Sequence, residues 1–376
     1  MADCDLLFYN SVDLFHPERS NLYSKYSAEV PGFDLFQNMF KIFAANLSMV
    51  DRTGQITTPL NVQLAPHCAM PEYDTGFSED FDQICVERAR WFLDYAQSTG
   101  RKLAILYSGG IDSSLVLVSF MRAGTPEELK NHIVVFLSEV SIYENPSLYH
   151  NHILKKFKLE SSYGFQNYLG NDQYVIITGE GNDQLFGSAV MHRVTQKYSD
   201  NILNIPPRRD LIVEIINSSA NNISHSEKIV DIFNKNISAS PIEIPTVSHY
   251  FWWLNFTLKW QSVYMRLIGY TLPKYRHSIQ LETNYFTFFH APKFQQWVMK
   301  NPDKLIGDTW LSYKWKCKEI IYDYNPDADY RDRKAKFGSL IRVVSTKHIT
   351  KCFDTDMNFY DLDYPENIWN DNNDFV

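Results

Sequence analysis

Residues Ser108-Gly109-Gly110-Ile111-Asp112-Ser113-Ser114 bring together three hydroxyls, two glycines and a carboxylate. They stand directly after the apolar run Leu103-Ala104-Ile105-Leu106-Tyr107, so a short buried strand delivers a small-residue loop that opens into an amphipathic segment. Glycines let the backbone approach an anion with no Cβ in the way. The N–H groups at a new helix start, and the helix dipole, favour negative charge there. Asp112 cannot bind a phosphate directly, because like charges repel; a divalent cation between carboxylate and phosphate explains its place in such a loop. The loop lacks the Gly-Lys-[Ser/Thr] ending of the common NTPase signature. A serine-capped glycine turn is the plain alternative, but such a turn does not call for this combination of residues between a strand and a helix.

A second stretch repeats the logic. The apolar run 174–178 leads into Thr178-Gly179-Glu180-Gly181-Asn182-Asp183-Gln184-Leu185-Phe186-Gly187. Ligand chemistry in parallel α/β sheets gathers at the carboxyl ends of the strands. That rule predicts Asp183 close to Asp112, and two carboxylates facing one polyphosphate call for Mg²⁺ between them. Asn182-Asp183 acting only as a helix N-cap is the alternative.

The surrounding pattern supplies the elements that must hold these loops. Glu79–Gln97 reads as a helix with Phe81, Ile84, Cys85, Ala89, Phe92 and Ala96 near one face. Strand 102–107 and helix 113–121 follow, then the β-branched run 132–137 as a buried parallel strand, a helix over Pro146–Phe157 and the strand 174–178. Beyond residue 208 the helical stretches 210–217, 227–234, 247–267 and 292–299 dominate. The expected fold class is α/β: a parallel sheet followed by a mostly helical second half. The N-terminal region is turn-rich, with Asp34–Leu47 its best helix. We divide the chain into an extension (1–80), an α/β core (81–200), a helical part (201–345) and an acidic, asparagine-rich tail (346–376).

Composition narrows the function. A net charge of −8 argues against broad nucleic-acid binding. The five cysteines, Cys4, Cys68, Cys85, Cys317 and Cys352, are scattered and form no Cys-x-x-Cys, which indicates neither a zinc cluster nor a dithiol pair. With no basic, apolar leader at the N-terminus and no apolar run of spanning length, a cytoplasmic, non-membrane protein is expected.

Ser108–Ser114 resembles the pyrophosphate-binding loop Ser-Gly-Gly-x-Asp-Ser of the ATP pyrophosphatases, which split ATP between the α and β phosphates and adenylate a substrate. Gly179–Gly187 resembles the Gly-Glu-Gly-x-Asp-Glu-Leu-Phe-Gly-Gly segment in the synthetase domain of asparagine synthetases, a domain shared by β-lactam synthetases and lasso-peptide cyclases. Gln184 stands where that family has glutamate, and Ser188 where it usually has a second glycine. In Tyr330-Arg331-Asp332-Arg333-Lys334-Ala335-Lys336-Phe337-Gly338, Lys334 is similar in place to the family's catalytic lysine, three residues before a phenylalanine. The resemblance spans about 85–340, with sharp motifs at these three points. The Arg-x-Pro-Phe-Leu-Asp sequence of the family's helical half is absent.

The resemblance implies a sheet of the adenine-nucleotide α-hydrolase (ATP pyrophosphatase) type, with ATP and Mg²⁺ as cofactors. Ser108, Gly109, Gly110, Asp112, Ser113, Ser114, Leu137 and Gly181 would contact nucleotide, the adenine lying along strand 132–138 near Leu137 and Ser138. Asp112 and Asp183 would hold Mg²⁺. Glu180 would lie near the reacting carbonyl and amine. Lys334, with Lys336 as the alternative, would offset charge developing at the α-phosphate and the tetrahedral intermediate; a solvated basic turn is the plain alternative. The implied reaction joins a carboxylate, aspartate by default, to ammonia or another amine through an acyl-adenylate, releasing AMP and diphosphate. Glutamine-dependent asparagine synthetases open on a cysteine nucleophile directly after the initiator Met; here Ala2 holds that position and Cys4 cannot supply a free α-amino base. The chain is therefore expected not to hydrolyse glutamine unaided, a separate glutaminase being an allowed partner and a homodimer an allowed assembly. Three rivals remain: a relative acting on another carboxylate, an RNA- or nucleotide-modifying pyrophosphatase, and an idle relative kept for binding.

Overall fold

Five short segments, four of them apolar and one polar at the edge, lie side by side. A computed structural model describes residues 6–10, 32–43, 48–56, 65, 67–187, 189–334 and 352–360. In it β2 (Lys102–Leu106), β3 (Ile133–Leu137), β4 (Lys158–Ser161), β5 (Tyr174–Thr178) and β6 (Tyr285–Thr287) form one sheet in the order β4-β3-β2-β5-β6. Every pairing is parallel. The central strands β2, β3 and β5 are buried through their interiors, as parallel strands covered on both faces must be. An α/β protein with a five-stranded parallel sheet is therefore what this sequence makes.

The covering helices follow from their patterns. α1 (Phe33–Phe43) lies in the N-terminal region. α2 (Phe81–Thr99) buries Phe81, Ile84, Cys85, Ala89, Phe92 and Ala96, the predicted face, and Gly100 ends it in the left-handed conformation. α3 (Ile111–Ala123) buries every residue from Ser113 to Met121. It needs cover on more than one side, and α2 packs on it along with a helix from the far end of the chain. His132 still belongs to α4 (Pro126–His132), whose Thr125–Glu128 capping box fixes its start, so β3 begins one residue later than predicted. α5 (Glu139–Glu144) follows β3.

Several expectations are corrected. The helix predicted over Pro146–Phe157 is an α-helical turn, Pro146–Leu148, running into a π-helical turn, Tyr149–Ile153. β4 and β6 have no counterpart in the sequence reading. β4 is an edge strand with a Lys158-Leu-Glu-Ser161 sequence that shows no buried face, and β6 has only three residues inside an aromatic run. After β5 come α6 (Asn182–Phe186) and α7 (Ala189–Tyr198). α8 (Arg209–Ala220) and α9 (Ile223–Ser238) pair with each other. The helix predicted over 247–267 breaks at Lys259 into α10 (Val247–Leu258) and α11 (Trp260–Met265). α12 (Pro292–Lys300), α13 (Trp315–Tyr324) and α14 (Ala328–Arg333) complete the helical half, and α13 is the second helix packed on α3.

A strand from the N-terminal region joins strands from the C-terminal region. β1 (Leu6–Tyr9) pairs antiparallel with β7 (Cys352–Asp354), which pairs with β8 (Phe359–Tyr360). Leu7, Phe8 and Phe353 join the core that surrounds the large sheet, whereas Leu6, Tyr9 and Cys352 join a second core with α1, α8, α9 and α10. No described helix is long and apolar enough to cross a membrane.

One buried histidine gives this packing a pH signature. His290 Nδ1 accepts the Trp260 indole N–H at 2.7 Å. Burial, aided by Arg52, His67 and Arg88, pushes its pKa down to about 3. Between about pH 3 and 6.5 the unfolded chain then binds one proton more than the native one, so stability is lost as the pH falls through that window, with a slope of about 1.4 kcal/mol per pH unit. Urea unfolding of His290→Gln across this range is expected to lack that slope; an unchanged slope would refute the assignment.

Candidate functional site

The carboxyl ends of β2 and β5 are neighbours, and the loop that each strand releases leans on the other. A Cβ on Gly179 would lie 3.1 Å from the Asp112 carbonyl carbon and 3.1 Å from the Ser113 nitrogen, so the two loops touch backbone to backbone. Gly109 takes φ 77°, and a side chain there would collide with the Ser141 carbonyl and Glu144 of α5. Within the first loop, Ser113 Oγ accepts the Ser108 N–H at 3.0 Å, and Ser108 Oγ accepts the Gly110 N–H at 3.2 Å.

Asp112 and Asp183, predicted to be close, share one cation. The Lys314 ammonium donates to Asp112 Oδ1 at 2.6 Å and stands 2.5 Å from Asp183 Oδ1. Asn182 Nδ2 donates to the same Asp112 oxygen at 2.6 Å, and the Tyr313 hydroxyl donates to the same Asp183 oxygen at 2.6 Å. Asn182 is thus an Asp112 ligand rather than a cap. Gly181, at φ 93°, is the N-cap of α6 and makes no side-chain cap. Lys314 is 5% exposed and Asp183 60%, so the cluster opens to solvent on the Asp183 side.

Two carboxylates around one ammonium carry a net negative charge, which favours proton retention throughout. Burial raises the Asp112 pKa, opposed by Lys314 and reinforced by Asp183. Burial works against the Lys314 cation, yet Asp112 and Asp183 outweigh it and hold its pKa well above the ordinary lysine value. Among the described residues no group of three or more His, Cys, Asp or Glu side chains is arranged to hold a metal ion. Two convergent carboxylates nonetheless suit Mg²⁺, which keeps water and substrate phosphate in its shell rather than demanding an all-protein cage.

The helical half fixes the second loop from behind. Asn255 Nδ2 donates to the Asp183 carbonyl at 3.0 Å and also to the Gly187 carbonyl, and Trp252 Nε1 donates to the Leu185 carbonyl at 2.8 Å. Every residue of α10 is buried, so these donors stand on a helix that cannot shift without disturbing the core. Gln184 is buried, and its Oε1 has no hydrogen-bond partner among the described residues.

Glu180 is not an unpaired base. Arg266 Nη2 donates to both of its oxygens, at 2.5 and 2.6 Å. Burial raises the Glu180 pKa, Arg266 opposes that, and Asp183 and Asp112 add to it.

The third motif also reaches the first loop. Lys334 follows the last turn of α14 and pairs with Glu144, the residue against Gly109 and Gly110. Tyr330, on α14, donates its hydroxyl hydrogen to the Gly109 carbonyl at 2.8 Å and lies 3.0 Å from Ser114 Oγ. Asn145 Nδ2 also donates to Ser114 Oγ, at 3.3 Å. The Ser114 hydroxyl is therefore committed to a buried network, and the buried Ser113 hydroxyl is engaged within the loop, donating to the Gly110 carbonyl at 3.2 Å. Leu137 ends β3 half-buried, and the Ser138 hydroxyl caps α5. Ser188, Lys336, Phe337 and Gly338 lie outside the described residues.

Sequence reasoning missed Lys314, Tyr313, Arg266, Tyr330 and Glu144. Tyr330 stood inside a quoted segment; Lys314 stood in the run Tyr313-Lys-Trp-Lys-Cys-Lys318, where nothing separates it from its neighbours. No protein-family model matches the chain, and no curated protein matches it.

The Tyr330 hydroxyl has a direct test. Tyr330→Phe leaves the buried Gly109 carbonyl without its donor and is expected to lower stability to urea by about 1–3 kcal/mol. A loss below about 0.5 kcal/mol would show that the loop does not depend on this anchor.

Proposed function

We propose that the chain is an ATP-dependent, AMP- and diphosphate-forming ligase of the asparagine synthetase type, built on a sheet of the ATP pyrophosphatase kind. The observation that carries this reading is the contact of the two strand-end loops, which brings Asp112 and Asp183 onto one cation beside the glycine–serine loop. A phosphate cradle alone fits many enzymes. A cradle facing a second acidic loop, with a lysine segment closing over it, fits cleavage of ATP at the α-phosphate.

In this reading a substrate carboxylate oxygen attacks the α-phosphorus, and the bond to the β-phosphate oxygen breaks. Ser108, Gly109, Gly110 and Ser113 hold the departing diphosphate. Asp112 and Asp183 would hold Mg²⁺, which neutralises the polyphosphate when bound. Lys334 offsets the charge developing at the α-phosphate. An amine then attacks the acyl-adenylate, and AMP leaves as the amide forms. Glu180, its charge balanced by Arg266, orients the amine and takes up its proton. Aspartate and ammonia are the default substrates.

One observation favours a second reading, an idle relative kept for binding: the position between the carboxylates is filled by Lys314. ATP–diphosphate exchange separates the two. With an amino-acid panel, exchange is expected with one carboxylate, aspartate first; no exchange with any carboxylate supports the idle relative. Asp112→Asn is expected to abolish exchange. Lys334→Ala is expected to lower kcat by about a hundredfold, with KM for ATP within about threefold; equal rates would return Lys334 to a plain surface turn.

A further inference from the structure

Lys314 is an odd choice for its position. It precedes α13 as its N-cap, where the helix dipole disfavours a cation. Its backbone sits at φ 58°, ψ 30°, a left-handed conformation uncommon for a residue with a Cβ. Both features work against it, and the structure offsets them with two ion pairs, to Asp112 Oδ1 and Asp183 Oδ1, with the Tyr313 ring 5.2 Å from the ammonium. These are the oxygens that a divalent ion would take. Without a cation, Asp112 and Asp183 would face each other as uncompensated charges, and no third His, Cys, Asp or Glu side chain completes a metal-binding group with them among the described residues.

We propose that Lys314 is a resident counter-cation. It holds the two carboxylates together in the empty protein, competes with a divalent ion for the same two oxygens, and withdraws when the ion binds. Against strain and an opposing dipole the ammonium is held by the two carboxylates, with only the weaker pull of the Tyr313 ring beside them among the described residues, so it lets go when the carboxylates are taken. The exposed flank at Asp183 is the way in. Lys314 is in this sense a positioning residue: it keeps the second loop against the first before substrate arrives. The inference rests on the ligase reading only in naming a divalent ion as the visitor.

The test uses Mn²⁺ alone, without nucleotide, so that an inactive protein and a wrong inference give different results. Lys314→Met is expected to bind Mn²⁺ at least about tenfold more tightly than the wild type, because the internal competitor is gone. Its Tm should be low in EDTA and rise with MnCl₂ well beyond the wild-type shift. The double variant Asp112→Asn, Lys314→Met should lose both effects. Binding by Lys314→Met no tighter than wild type would overturn the proposal and leave Lys314 a fixed ion pair. If that variant does not fold, acetylation of Lys314 in the wild type, followed by peptide mass spectrometry, decides. Labelling should speed up severalfold with MnCl₂, and an unchanged rate would overturn the proposal equally.

Discussion

The structure turns on one electrostatic constraint: two carboxylates from different strand ends must share a cation. Asp112 lies in the first turn of α3, which follows β2, and Asp183 in the first turn of α6, which follows β5. Each would repel the other, and Asp112 is raised in pKa by burial and by Asp183. The Lys314 ammonium resolves the conflict at 2.6 and 2.5 Å. Much of the remaining architecture serves to make that meeting possible. The parallel sheet sets the strand ends side by side, glycine at 179 lets the loops touch, and buried α10 holds the second loop from behind through Asn255 and Trp252.

A buried ion cluster is a weak source of stability, because desolvation offsets most of the attraction. The same reasoning applies around it. Glu180 lies against Arg266, Glu144 against Lys334, and the Tyr330 hydroxyl reaches the Gly109 carbonyl. α13 and α14 thus bring Lys314, Tyr330 and Lys334 from the far end of the chain onto the first loop.

What could be read from sequence was what local chemistry writes locally. β2, β3 and β5 are apolar runs that end in glycine or serine, and the two acidic loops follow directly from them. Their adjacency follows from the parallel-sheet rule. The edge strands were illegible because β4 is short and polar and β6 only three residues long. The break at Lys259 was illegible because nothing but the turn itself marks it. Lys314 was hidden by its company: a lysine among lysines, in a left-handed conformation that sequence assigns by default to glycine. Its role comes from contacts 202 and 131 residues away in sequence, set by the packing of α13 on α3. The pairings of Glu180 with Arg266 and Lys334 with Glu144 have the same origin, and no spacing rule reaches them.

The central proposal is that the two strand-end loops form one site that cuts ATP at the α-phosphate. Phosphorus NMR of ATP incubated with the wild-type protein, Mg²⁺, ammonium and aspartate tests it most directly. AMP and diphosphate in equal amounts are the predicted products. ADP and inorganic phosphate would contradict the account, since they would place the cleavage at the wrong phosphorus.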